Sequence, residues 1–230
     1  MIDFLTVCEG HSESDFCNQV LRPSLYPRGV DFAGKLVGKP NRKLPGIAGW
    51  ARYQADLKRI AAEANQRKRY VGVLVDYYRM PLGWPGRRTA SDQTLKQRGI
   101  HVEEELKRVA DESYRDSFIP CVQLHEFESL LFCDPDTTGL AMSMGLGDFN
   151  EISCAASVEQ MRVIIRDCGS DVEQINDHVT TNPAARVQRI FPGFSKPVQG
   201  VNALIECDVD LLRQNCVWLD RWLTAIEACV

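Results

Sequence analysis

FIPCVQLHEFESLLFCDP, residues Phe118–Pro135, reads as a strand that runs into a polar cluster and then back into core. Phe118, Ile119, Cys121 and Val122 have strand character, and Leu130, Leu131 and Phe132 are core residues. Between them stand Gln123, His125, Glu126 and Glu128. Burying a charge without a partner is costly, so these side chains require partners or a ligand. In α/β proteins, a strand that ends in polar residues and turns into a helix is a place where sites form. The competing reading is a helical turn whose acidic edge faces water.

Upstream, two further strands end the same way. Tyr70–Val75, YVGVLV, is a buried strand that terminates in Asp76. Pro81, Gly83, Pro85 and Gly86 follow and forbid a regular helix there. Ile2–Cys8 is mostly apolar, as a strand covered on both faces should be, and it ends in Glu9-Gly10. Ser12–Asp15, SESD, has the pattern of a capping box with Asp in place of Glu, so a helix is expected from Ser12. Each acid also has a structural reading: Glu9 could favour the positive end of that helix, and Asp76 could form a turn.

Parallel strands in a doubly wound sheet bring their carboxyl ends to one edge. Glu9, Asp76, and Glu126 or Glu128 would then gather there and repel one another unless a cation neutralised them. An oxygen-rich set with few imidazoles suits Mg2+ or Mn2+, and such ions can activate water against a phosphodiester. His125 is a further candidate ligand or proton carrier. The chain has no phosphate-binding G-x-x-x-x-G-K-[ST] loop, no G-x-G-x-x-G and no G-x-S-x-G.

Composition sets the outer bounds. The 230 residues are 44% hydrophobic and 25% charged, ordinary for a globular protein with one sizeable core or a core plus an appendage. No apolar run is long enough to span a bilayer, and MIDFLTVCEG lacks the form of a signal peptide. A cytoplasmic protein is therefore expected. Nine scattered cysteines, with no C-x-x-C pair, read as small core residues in a reducing compartment and not as a zinc cage or disulfide framework.

A formal net charge of -4 and a pI near 5.6 exclude a generic polyanion binder, so any nucleic-acid surface must be local. Arg28–Arg69 is the basic part of the chain, and Gly38–Trp50, GKPNRKLPGIAGW, reads as an exposed loop carrying Arg42 and Lys43. Those two are candidate phosphate-backbone contacts. Tyr53, Leu57, Ile60 and Ala64 then have helical spacing. Leu95–Val109 is read as a polar helix whose run Glu103–Glu105 is solvated.

From Asp136 onward the chain reads as mainly helical, with helices over Ser157–Asp167 and Asp208–Val230 and a glycine-rich connection at Gly139–Asn150. Arg186, Arg189 and Lys196 flank Phe191-Pro192-Gly193-Phe194, a second small basic surface with aromatics. It could hold a phosphate backbone, or it could be a packed helix junction with solvated cations. Val217, Leu219, Trp222, Leu223 and Ile226 are read as core, or as the interface of a homo-oligomer.

Three segments carry a resemblance: Glu9-Gly10-x-Ser12-Glu13 after the first strand, Asp76-Tyr77-Tyr78-x-x-Pro81 after the later one, and QLHEFESLLF at Gln123–Phe132. Together they resemble a TOPRIM-related family, domain of unknown function 4276. The likeness extends into Pro183–Arg186, Lys196–Gly200 and CVWLDRWL at Cys216–Leu223. It implies a TOPRIM-like, mostly parallel α/β core over 1–135 and a helical region over 136–230.

In TOPRIM proteins a glutamate after the first strand and a D-x-D after a later one bind Mg2+, which maps onto Glu9 and Asp76. The second aspartate falls at Tyr78, which cannot replace a carboxylate; His125, Glu126 or Glu128 would have to supply the missing ligand. The resemblance further implies a Mg2+-dependent nuclease acting on DNA or RNA, effector of an antiphage defence system, with an ABC-type ATPase encoded nearby. The alternative is a non-catalytic regulatory or scaffold subunit of that ATPase.

Overall fold

The computed structural model describes residues 1–38, 49–63, 66–78, 80–87, 94–147, 149–175, 178 and 180–230. They form an α/β fold in two compact units: residues 1–124 with 221–230, and residues 125–220. The Phe118–Pro135 stretch is thus divided, its strand and Gln123 belonging to the first unit and His125, Glu126 and Glu128 to the second.

The first unit is built on four parallel strands in the order β2-β1-β3-β4: β1 (Ile2–Cys8), β2 (Val30–Leu36), β3 (Arg69–Asp76) and β4 (Cys121–Gln123). Both central strands are apolar because both faces are covered. On one face Phe4 stacks on Phe32 at 5.1 Å, and Trp222 meets both rings edge-on. On the other, Leu5, Val7, Val71, Val73 and Val75 pack with Tyr53, Leu57 and Ile60 of a helix and with Val102 and Leu106 of another. β2 went unread in the sequence. Its apolar residues alternate with Asp31 and Lys35, as on a strand half open to solvent.

β1 leads into α1 (His11–Phe16), a π-helical turn at Cys17–Leu21, and α2 (Arg22–Leu25). The expected cap at Ser12 is corrected: Gly10 is the N-cap, in extended conformation, and no side chain caps it. This helical run is held to β2 by Asn18, whose amide both donates to Gly34 O and accepts from Gly34 N at 3.0 Å. A side chain at Gly34 would place Cβ 2.6 Å from Cys17 Cβ, so the close approach requires glycine.

α3 (Trp50–Ala62) buries Trp50, Tyr53, Leu57 and Ile60 along one face. α4 (Leu95–Arg108) begins at a capping box between Thr94 and Gln97 and buries Gly99, Val102, Glu103 and Leu106. The reading of Glu103–Glu105 as solvated is corrected at Glu103, which is 5% exposed. One carboxyl oxygen accepts from Val122 N at 2.9 Å, and the other accepts from the Arg221 guanidinium. Glu104 faces water, and Glu105 pairs with Arg108.

In the second unit a 3-10 helix, Phe127–Phe132, leads to α5 (Pro135–Gly145) and α6 (Glu151–Asp167). α7 (Pro183–Ile190), α8 (Val201–Ile205) and α9 (Val209–Asn215) follow, and the unit boundary falls inside α10 (Val217–Glu227). The glycine-rich connection expected over Gly139–Asn150 is instead mostly the end of α5. Gly139 sits where α5 meets α6: a Cβ there would stand 2.4 Å from Val158 Cγ2. Glycine here marks helix contact and not a loop. Val217, expected in the apolar face, is 61% exposed, whereas Leu219, Trp222, Leu223 and Ile226 are buried. No helix among the described residues is long and apolar enough to cross a membrane.

All nine cysteines are free; six are buried, and Cys154, Cys168 and Cys229 are partly exposed. Cys8 Sγ lies 3.9 Å from Cys17 Sγ, and burial holds the Cys17 thiol well above its ordinary pKa. Thiolate is the reactive form. A thiol-reactive dye should therefore label Cys154, Cys168 and Cys229 in the native protein and the other six only on unfolding. Rapid native labelling of Cys8 or Cys17, read by peptide mass, would contradict this packing.

Candidate functional site

From β1 the chain turns to β2 on one side and later reaches β3 on the other side of β1. The carboxyl ends of β1 and β3 therefore flank the topological switch point, where open α/β sheets bind ligands. Glu9 directly follows β1 and Asp76 ends β3. Because Cys8 pairs with Leu74, Glu9 comes into register beside Val75, one residue short of Asp76. Both acids are partly exposed at this edge, and each has one oxygen shut off from solvent.

A third carboxylate joins them. With Gly10 as N-cap, Glu13 occupies N3 of α1, the position from which a glutamate reaches back over the helix start. It does so here: a Cβ on Gly10 would lie 2.6 Å from Glu13 Oε2. Glycine leaves that carboxylate room to lie over the end of β1. Glu13 is not among the ligands expected from the sequence. The signal that could have found it was the glutamate three residues after the glycine.

Beneath this edge lies the Tyr53 hydroxyl, buried and without a hydrogen bond among the described residues. Its pKa is pushed far up, first by burial and then by its neighbours Glu9, Cys8, Glu13 and Asp76. The phenol therefore keeps its proton and can donate a hydrogen bond to the site. The ring packs edge-on against Trp84 at 4.8 Å. Tyr78, two residues beyond Asp76, is half-buried.

The donor set is carboxylate oxygen, which hard dications take. No three His, Cys, Asp or Glu side chains among the described residues are grouped so as to form a metal cage. The set fits a more open arrangement. Mg2+ commonly uses one or two carboxylates and completes its octahedron with water and phosphate oxygen. Glu9 and Asp76, with Glu13 close by, could hold such an ion.

His125, Glu126 and Glu128 belong to the second unit and are 4%, 2% and 3% exposed, respectively. His125 Nε2 is 2.5 Å from Glu173 O. Glu126 Oε2 accepts from Ala184 N at 3.4 Å, in the first turn of α7. A carboxylate there meets the helix's unsatisfied N–H groups and the positive end of its dipole. Glu173, itself buried, accepts from Trp218 N at 2.9 Å and from the Cys216 thiol. Within this unit the polar cluster is a buried network that ties the 3-10 helix to distant segments.

Arg186 and Arg189 line a groove of about 490 Å3 between α6 and α7, beside Glu159, Gln160, Val163 and Ile190. Each guanidinium is anchored, Arg186 to Thr181 O at 2.6 Å and Arg189 to Thr180 O at 2.9 Å. Lys196 opens the π-helical turn Lys196–Gly200. Arg42 and Lys43 lie outside the described residues.

No curated protein and no solved structure matched the chain. A family model described as a domain of unknown function, DUF4276, matches residues 8–227, nearly the whole chain, and the protein therefore belongs to that family.

Proposed function

We propose that the protein is a Mg2+- or Mn2+-dependent phosphodiesterase acting on DNA or RNA. The placement of Glu9 and Asp76 at the switch point of a parallel sheet carries this reading. Two acids there attract a dication, and a dication on a phosphodiester stabilises charge and supplies a nucleophile. The site's own residues bind and orient. Glu9 and Asp76 would be the ligands, Glu13 would hold a metal-bound water or the ion itself, and the Tyr53 phenol would donate to one of the carboxylates. The TOPRIM likeness of the same segments supports the assignment and suggests an effector of antiphage defence that works with an ABC-type ATPase.

A second reading has its own observation. Tyr78 stands where TOPRIM proteins carry the second aspartate, and a three-acid cage is absent among the described residues. A weakened metal site suits a regulatory subunit of the ATPase. The deciding experiment incubates pure protein with Mg2+ or Mn2+ against single- and double-stranded DNA and RNA, with and without a neighbouring ATPase. Cleavage that EDTA abolishes supports the phosphodiesterase. Stable ATPase binding with no cleavage of any substrate supports the subunit.

Metal binding itself gives an independent measure. A dication at ten times its dissociation constant adds about 1.4 kcal/mol to stability. For a chain of this length the melting temperature should rise by about 3–6 °C. No shift with either ion at millimolar concentration would remove the site.

A further inference from the structure

The Tyr77 ring stands one residue beyond Asp76 and gathers two arginines that no reading of the sequence singled out. Tyr77 packs in the same core as Val71, Val73 and Val75, on the face that α3 and α4 cover, and is 3% exposed. Its N–H donates to Gln123 O at 2.7 Å, which fixes it to the carboxyl edge of the sheet. Arg87 Cζ lies 4.1 Å from the ring centroid; Nη1 donates to the Tyr77 hydroxyl at 2.9 Å and Nε donates to Met80 O at 3.2 Å. Arg98, in the first turns of α4, brings its own Cζ to 5.6 Å from the same centroid.

Both guanidiniums are therefore within 6 Å of one ring centre. Arg98 Nε is shut off from solvent and donates to no described acceptor, and Arg98 makes no ion pair among the described residues. Arg98 thus brings to the ring a charge with no described counter-ion, and an anion beside it would neutralise that charge. An arginine fork matches phosphate oxygens in shape as well as charge.

The surroundings narrow the ligand. Leu5 and Val7 occupy the same face as Tyr77, and strand alternation carries that row on to Glu9. In register, Glu9 lies beside Val75, and Tyr77 is the next residue outward on that face. Acids that attract a dication thus adjoin cations that attract an anion, the pairing that phosphoryl transfer requires. We propose that Arg87 and Arg98, held on the Tyr77 ring, clamp the non-bridging oxygens of a phosphate ester at the edge where Glu9 and Asp76 stand. The identity of the ester rests on the phosphodiesterase reading; the anion site rests on the arginines alone.

The test separates the two. Metal-free protein in EDTA, titrated calorimetrically with inorganic phosphate at constant ionic strength, is expected to bind it. Arg98→Met should raise the dissociation constant at least roughly tenfold, about 1.4 kcal/mol, while leaving the melting temperature in chloride unchanged. Arg87→Lys keeps the charge and loses the fork, and serves as the second variant where Arg98→Met does not fold. Asp76→Asn, which removes a repelling charge, should bind phosphate as well as wild type or more tightly. No phosphate binding by the wild type, or equal binding by the wild type and both arginine variants, overturns the clamp. Arginine-dependent phosphate binding by a protein that cleaves neither DNA nor RNA upholds the clamp and defeats the nuclease. Metal-dependent cleavage whose KM neither arginine variant changes does the reverse.

Discussion

Asp76→Asn and Glu9→Gln are each expected to slow metal-dependent phosphodiester cleavage by well over roughly tenfold, more than about 1.4 kcal/mol in the barrier. Both changes keep side-chain shape and hydrogen-bonding size but remove a negative charge from the switch-point edge. The folded apo protein should tolerate them and even gain slightly, because Glu9, Glu13 and Asp76 all act on the same buried phenol and so lie in one field. A dication loses half of its proposed carboxylate ligands in either variant, and the loss is felt at the charge that develops in the transition state. Glu13→Gln should have a smaller effect, seen first as weaker metal affinity. Single-turnover cleavage measured across a Mg2+ titration separates lost affinity from lost rate. Equal activity in wild type and Asp76→Asn at saturating metal would sink the assignment.

The largest expected effect on stability is at Arg221. Its guanidinium neutralises Glu103, a carboxylate 5% exposed on the buried face of α4. Removing one partner of a buried pair commonly costs about 3–5 kcal/mol. Here the arginine side chain is 43% exposed, so water already screens part of the attraction. Arg221→Met should therefore cost about 2–3 kcal/mol, a fall in melting temperature of about 5–10 °C. Glu103→Gln added to Arg221→Met removes the stranded charge and should restore most of that loss, its amide oxygen still accepting from Val122 N.

The pH dependence has a definite sign. Burial raises the Glu103 pKa from its ordinary 4.5, against the opposing pull of Arg221 and the Val122 N–H. A raised acid favours the folded state while protonated, and that contribution is lost as pH rises through the folded pKa. Without Arg221 the pKa climbs further. The deficit of Arg221→Met relative to wild type should be small below pH 4.5 and grow toward neutrality. Melting curves of both proteins at either end of that range measure it. Equal deficits at both ends would show that the guanidinium acts by packing and not by charge.

Local composition was enough to place the central strands and the two acids at their ends. Ile2–Cys8 and Tyr70–Val75 are apolar at nearly every position, a pattern that only a strand buried on both faces sustains, and a parallel sheet puts both carboxyl ends at one edge. Glu9 and Asp76 follow from those facts without knowledge of any contact. Leu95–Val109 was legible as a helix for the same kind of reason, from residues within a few positions of one another. β2 was not, because Asp31 and Lys35 dilute its apolar half and basic residues surround it.

What the chain's local patterns could not show is where charges find partners far along the sequence. Glu103 looked solvated among three glutamates, and only folding brings Arg221, 118 residues away, to its carboxylate. Glu126 and His125 stand just past a strand end, and their hydrogen-bond partners Ala184 and Glu173 are 58 and 48 residues distant. Gly139 looked like a loop until Val158 pressed against it. Arg87 and Arg98 became a pair only on the Tyr77 ring. Periodicity reports which face of an element is apolar, whereas the burial of a charge depends on what the fold carries to it from elsewhere, and that is decided by tertiary packing.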